Sequence, residues 1–252
     1  MIKISAVIIT FNEERNIGRC LQSLEGIADE IVVVDSFSTD STENQCKAFN
    51  VRFLQHPFEG YMQQKTWACE QAANHYILQL DADEQLSDTL RTSILEVKAD
   101  WKADGYTFNR LNNYIGKWIR HCGWYPDAKL RLWDRRKGAW SGLNLHESVK
   151  MNDNAVVIKL KGDLLHFSYY SIQQHLNQIN SFTEIAAREG VAKGKNTSLF
   201  VIVFKTIWKF KRDYIFKLGF LDGYYGFVVC AMSAYTVFVK NLKMRELKRI
   251  KE

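Results

Sequence analysis

The chain's 252 residues suffice for one large domain or a domain with an appendage, and 46% hydrophobic with 25% charged residues excludes an intrinsically disordered protein. Five cysteines (20, 46, 69, 122 and 230) without a C-x-x-C pair argue against a disulfide framework and suit reduced thiols. The net charge of +6 is local: residues 1–192 carry 21 Lys+Arg against 24 Asp+Glu, and residues 193–252 carry 13 against 4.

Lys3–Thr10 predicts an apolar strand, and the opening residues lack a signal-peptide pattern, so a cytoplasmic setting is expected. Asn16 to Leu24 reads as a helix with Ile17, Cys20, Leu21 and Leu24 on one face. Glu30–Val34 is a second apolar strand running into Asp35, followed by a turn whose Asp40, Ser41 and Thr42 suit a helix start. A helix over Glu43–Asn50, a strand over Val51–Leu54 and a helix over Met62–Asn74 come next. The stretch Tyr76–Glu84 reads as a fourth strand that ends in the carboxylates of L-D-A-D-E. Continuous apolar strands alternating with helices predict a mostly parallel α/β sheet with both faces covered. Ligands of such sheets bind at the carboxyl ends of the strands. Thr10–Glu14, Asp35–Asp40 and Asp81–Glu84 should therefore share one crevice.

Each cluster offers a role. Asn12, Glu13 and Glu14 suit hydrogen bonds to a base or ribose, although Asn12 equally suits a turn. Asp35 suits an imide N–H or ribose hydroxyls. If strand geometry continues through them, Asp81 and Asp83 point the same way across Ala82, a hard-oxygen site for Mn²⁺ or Mg²⁺ completed by substrate phosphates. No G-x-G-x-x-G or G-x-x-x-x-G-K-[ST] run is present, so phosphate neutralisation falls to a metal.

I-I-T-F-N-E-E at 8–14, V-V-V-D-S-F-S-T-D-S-T at 32–42 and L-D-A-D-E at 80–84 resemble family 2 of the inverting glycosyltransferases, which implies the GT-A fold. Y-P-D-A-K-L-R-L-W-D-R-R at 125–136, L-H-E-S-V at 145–149 and R-D-Y-I-F-K-L-G-F-L-D-G-Y-Y-G at 212–226 resemble its lipopolysaccharide-core subgroup, whose type member is a β-1,4-glucosyltransferase. The resemblance implies a UDP-sugar donor, glucose first, and a lipid-linked saccharide acceptor. The family's D-D-G-S-x-D turn stands here as Asp35-Ser36-Phe37-Ser38-Thr39-Asp40, without its glycine.

Inverting transfer needs a base on the acceptor side, from the second half of the chain. Glu147 is the first candidate and Asp127 the second, each open to pairing with Arg131, Arg135 or Arg136 instead. Those arginines suit a pyrophosphate or an anionic acceptor. Alternation over 129–135 puts Lys129, Arg131 and Trp133 on one strand face. Trp118, Trp124, Tyr125 and Trp140 suit sugar stacking or core packing. His146 and His166 are possible nitrogen ligands, and Lys65 either reaches a phosphate or lies on a solvated helix face.

From Leu199 the chain turns basic and aromatic, and Leu218–Val239 has Asp222 as its one formal charge. A pair of interfacial helices on an anionic membrane surface is expected, with Trp208, Phe210, Tyr214 and Phe216 in the membrane; packing on the catalytic domain and a true span are the alternatives. The expected organisation is a GT-A domain over 1–195 and a membrane-associating helical segment over 196–252, peripheral on the cytoplasmic face of the inner membrane. No pattern for nucleic-acid binding is present. A nucleotidyltransferase with the same paired carboxylates, or a non-catalytic saccharide-binding relative, are the rival functions.

Overall fold

A computed structural model describes residues 1–142, 147–195 and 198–249. The first strands are β1 (Ile4–Thr10), β2 (Glu30–Asp35), β3 (Arg52–Gln55) and β4 (Tyr76–Asp81), adjacent in the order β3-β2-β1-β4 and all parallel. Helices α1 (Ile17–Ser23), α2 (Thr42–Cys46) and α3 (Tyr61–Glu70) form the crossovers. Alternate residues of these strands feed two cores. Ile4, Ala6 and Ile8 pack with α1, whereas Val7, Val32 and Val34 pack with Ala68 and Cys69 of α3. Burial on both faces is why these strands read as unbroken apolar runs.

Beyond β4 the sheet turns antiparallel. The remaining strands are β5 (Glu84–Leu86), β6 (Gly105–Tyr114), β7 (Lys117–Ile119), β8 (Ala128–Asp134), β9 (Gly138–Ser141), β10 (Ser148–Met151) and β11 (Val157–Tyr169). The path continues β4-β8-β6-β11-β5; β7 pairs with β6, and β9 with β10 forms a separate ribbon. Helix α4 (Asp88–Ala99) is capped by Ser87, whose side chain accepts from Leu90 N. Gly162 holds φ +91°, and a Cβ there would run into the Leu90 backbone at the start of α4.

Three helices follow: α5 (Ile172–Ala192), α6 (Leu199–Lys211) and α7 (Gly223–Arg249), with a π-helical turn at Arg212–Phe216 and a 3-10 turn at Gly219–Asp222 between the last two. The chain divides into two compact units, Met1–Arg110 with Asp127–Phe167, and Leu111–Pro126 with Ser168–Glu252. Helix α5 thus groups with the C-terminal helices. In that second unit Phe210 and Tyr214 are partly buried and pack near Phe227, whereas Trp208 and Phe216 are exposed. Gly219–Arg249 is long and apolar enough to cross a membrane by length and composition.

Candidate active site

All site residues described here lie in the first compact unit. The loops after β1 and β2 are laced together. Asn12 takes φ +54°, its N–H donates to Ser38 Oγ at 2.8 Å, and its Oδ1 accepts from Thr39 N at 2.8 Å. Glu14 Oε2 accepts from Ser41 N at 2.9 Å. Asp35 is only 1% exposed, and both its oxygens accept from Ser38, one from N–H at 2.8 Å and one from Oγ at 2.5 Å. The missing glycine is replaced by Phe37, which itself takes φ +62°. Thr10 is buried at the end of β1, and its Oγ1 makes no hydrogen bond.

The strand β4 stops at Asp81 and Ala82 and Asp83 form a turn into β5, so the period-two expectation does not carry through. The two aspartates consequently meet different partners. Asp81 Oδ1 lies 3.1 Å from Lys65 Nζ, and its Oδ2 accepts from Arg131 Nη2 at 2.8 Å. Burial pushes the Asp81 carboxyl up, but the Lys65 and Arg131 charges outweigh it and hold it well below the usual carboxylate range. Asp83 faces His166 instead, with Oδ2 at 3.1 Å from Nε2. Antiparallel pairing of β5 with β11 sets Glu84 opposite His166, which brings the neighbouring Asp83 to the imidazole. Burial opposes the His166 charge, yet the Asp83 carboxylate raises its pKa overall.

Lys65 is 4% exposed, so the solvated-helix reading of it is wrong: α3 packs across β1 and buries its stem. Its ammonium lies 3.4 Å from Glu147 Oε1 and 4.9 Å from the Trp140 ring. Glu147 Oε2 is buried and has no hydrogen-bond partner among the described residues. Asp127 is more heavily paired, to Arg110 at 3.0 Å and Lys129 at 2.9 Å. Arg135 donates to Cys69 O and Arg136 grips Asp134, so of the three arginines only Arg131 joins the carboxylate cluster. His146 lies outside the described residues.

Tyr61 escaped the sequence reading, and Glu84 and Glu13, which it named, take more definite places. Glu84 accepts from Asp81 N at 2.9 Å and from Arg131 at 3.0 Å, and so ties the turn to β8. Tyr61 sits one helical turn before Lys65, and its pKa is raised by burial and by Asp81, Glu147 and Asp83. That i, i+4 spacing was the available signal. Glu13 is pushed up to about 7, by burial first, against a hydrogen bond from Asn16, and then by Asp83, Asp40 and Asp81.

The fold is a mixed α/β sheet whose parallel half ends in a cluster of carboxylates and buried cations. Residues 5–149 match the family described as Glycosyl transferase family 2, and the chain belongs to that family. It is therefore a glycosyltransferase with a GT-A-type fold. It is 32% identical to an uncharacterized glycosyltransferase of Rickettsia typhi, over 98% of this chain and 88% of the relative. It is 30% identical to the lipopolysaccharide core biosynthesis glycosyltransferase LpsC of Rhizobium meliloti, over 99% and 94%. Staphylococcus aureus TarS 1–349, solved with UDP-GlcNAc, aligns over 99% of this chain and 92% of its own at TM-score 0.49 and 13% identity, a loose likeness that assigns no role to any residue.

Proposed function

We propose that the protein transfers a sugar, glucose first, with inversion and with Mn²⁺ or Mg²⁺, from a UDP-sugar to a lipid-linked saccharide of a lipopolysaccharide core or similar glycan. The observation that carries this is the meeting of Asp83–His166, Asp81–Lys65–Arg131 and Glu147 near the strand ends of a family 2 chain. The core-biosynthesis relative from Rhizobium meliloti and the motifs at 125–136 and 212–226 support the acceptor class.

The donor set fits a divalent cation. Asp83 Oδ2 and His166 Nε2, an oxygen and an imidazole nitrogen that both suit such an ion, lie 3.1 Å apart. Among the described residues no group of three or more His, Cys, Asp or Glu could hold a metal; a substrate-bound ion of this kind keeps few protein ligands. Asp83 and His166 would hold it, rather than Asp81, whose oxygens face cations. Held there, a divalent cation would supply Lewis-acid stabilisation to the pyrophosphate leaving group.

The chain's own residues do the rest. Asp81 fixes the Lys65 ammonium and the Arg131 guanidinium in place as hydrogen-bond donors for the diphosphate. Glu147, with one oxygen on Lys65 and the other without a hydrogen bond among the described residues, takes the acceptor hydroxyl's proton. Asp127 remains the second candidate, but Arg110 and Lys129 compete for its lone pairs. The loops holding Asn12, Glu14, Asp35 and Thr10 frame the nucleoside. Nucleotidyl transfer has no observation in its favour. Attachment to the cytoplasmic face of the inner membrane through residues 196–252, with 1–195 carrying the chemistry, is supported by the tail's charge and its exposed apolar side chains. Incubation of the protein with Mn²⁺ and UDP-, GDP- or ADP-sugars tests the reading: release of UDP is expected, and release from another nucleotide alone refutes the donor.

A further inference from the structure

A cleft of about 290 Å³ lies between α6 and α7, wholly within the second compact unit. Lys205, Trp208, Lys209, Arg212, Lys240 and Asn241 line it. One carboxylate, Asp213, offsets the four cations: Lys209 Nζ is 2.6 Å from Oδ2, and Arg212 Nε donates to Oδ1 at 2.9 Å. Lys205 and Lys240 make no ion pair among the described residues, so four cations against one carboxylate leave an excess of three. Lys240 is half-buried. Burial and the charges of Lys195 and Lys205 lower its pKa. Like charges gathered along an open cleft repel one another, and an entering anion would relieve that repulsion.

The surface beside the cleft is apolar. Phe200 is 79% exposed, and Phe204, Ile207 and Trp208 continue the same side of α6. Lys205 and Lys209, one turn apart, flank that side. A helix that exposes aromatics beside lysines matches the depth profile of a lipid interface, with apolar groups in the acyl region and cations at the head groups. A soluble phosphate would leave Phe200 and Phe204 uncovered. A phosphate monoester carries about −1.5 to −2 near neutral pH, which suits an excess of three better than a singly charged diester.

We propose that this cleft binds the phosphate monoester head group of an anionic membrane lipid, with Trp208 and the apolar side of α6 against its acyl region. The inference rests on the membrane attachment argued above and adds to it a site and a head-group chemistry.

Flotation of the full chain with vesicles tests it. Phosphatidylcholine vesicles are compared with vesicles that also contain phosphatidic acid, or phosphatidylglycerol at equal total charge. Wild type is expected to prefer phosphatidic acid by about tenfold, the scale of one charge-assisted hydrogen bond. Lys205→Ala with Lys240→Ala should abolish that preference. Lys211→Ala with Lys217→Ala, equal in charge and outside the cleft, should retain it. Equal loss in both variants, or no preference in wild type, overturns the site. Calorimetric binding of inorganic phosphate that depends on Lys205 and Lys240, without a vesicle preference, assigns the cleft to a soluble anion and also overturns it. Failure of wild type to float with any anionic vesicle refutes membrane attachment itself, and UDP binding in every variant reports the transferase reading separately.

Discussion

Lys65 Nζ and Asp81 Oδ1 face each other at 3.1 Å, the lysine almost entirely out of solvent. With Arg131 on the other oxygen, Asp81 is compensated by cations, whereas Asp83 two residues later has a histidine. The D-x-D run is therefore not a symmetric pair: one carboxylate pairs with two cations and the other faces an imidazole.

Asp83→Ala and His166→Ala should each lower transfer by roughly two orders of magnitude or more, since Lewis-acid stabilisation is worth several kcal/mol. The Mn²⁺ activation curve should shift to higher concentration. Asp81→Ala should behave differently and destabilise the fold by about 1.5–3 kcal/mol, because it removes the carboxylate that two buried cations share, leaving Lys65 with Glu147 and Arg131 with Glu84. Urea unfolding of the three variants separates the cases; equal stability losses would refute the asymmetry.

Glu147→Gln should bind UDP normally and lose about 10²–10⁴-fold in transfer, the usual worth of a general base. Asp127→Asn should cost far less. Single-turnover rates and UDP calorimetry on both variants decide the assignment, and the reverse pattern would move the base to Asp127.

Asp35→Asn should weaken UDP binding by about 1–3 kcal/mol, the scale of a charged hydrogen bond. Because Asp35 faces Ser38, the effect should run through the turn, and Ser38→Ala should reproduce part of it. Calorimetry showing Ser38→Ala unchanged would mean Asp35 acts on the ligand directly.

Glu13 gives a pH dependence. Its carboxyl is raised from 4.5 to about 7 in the fold, so between those values the folded state holds a proton that the unfolded state has released. Stability then falls as pH rises through that window and levels above it. Glu13→Gln should remove that component, on the order of 1–3 kcal/mol between pH 5 and 8. Thermal melts across that range check it; identical slopes would place the titration elsewhere.

Much of this was legible in the sequence, for physical reasons. Strands β1, β2 and β4 are buried on both faces, so their apolar runs announced a parallel sheet, and the strand-end rule then placed Thr10, Asp35 and Asp81 together. Lys65 was ambiguous because a lone lysine in a Gln- and Ala-rich helix carries no periodic signal of burial. The Asp83–His166 approach depends on antiparallel pairing between β5 and β11, residues 83 apart, which local pattern does not reveal. Helix α2 fell short of the expected Glu43–Asn50 and ended at Cys46, where the chain begins turning toward β3.

The second compact unit draws on two separated stretches of chain. Asp222 accepts the backbone N–H groups of Arg120 and His121 at 3.1 and 2.8 Å, and Cys122 N donates to Lys217 O at 3.1 Å. These partners are 101 residues apart for His121 and Asp222. On a ribosome adding about 5–20 residues per second, Leu111–Pro126 therefore waits roughly 5–20 s after emerging before its hydrogen-bond acceptors exist. A nascent chain stopped near Gly194 would hold this segment open, so the C-terminal helices set when synthesis can finish folding as well as what surface the finished protein presents.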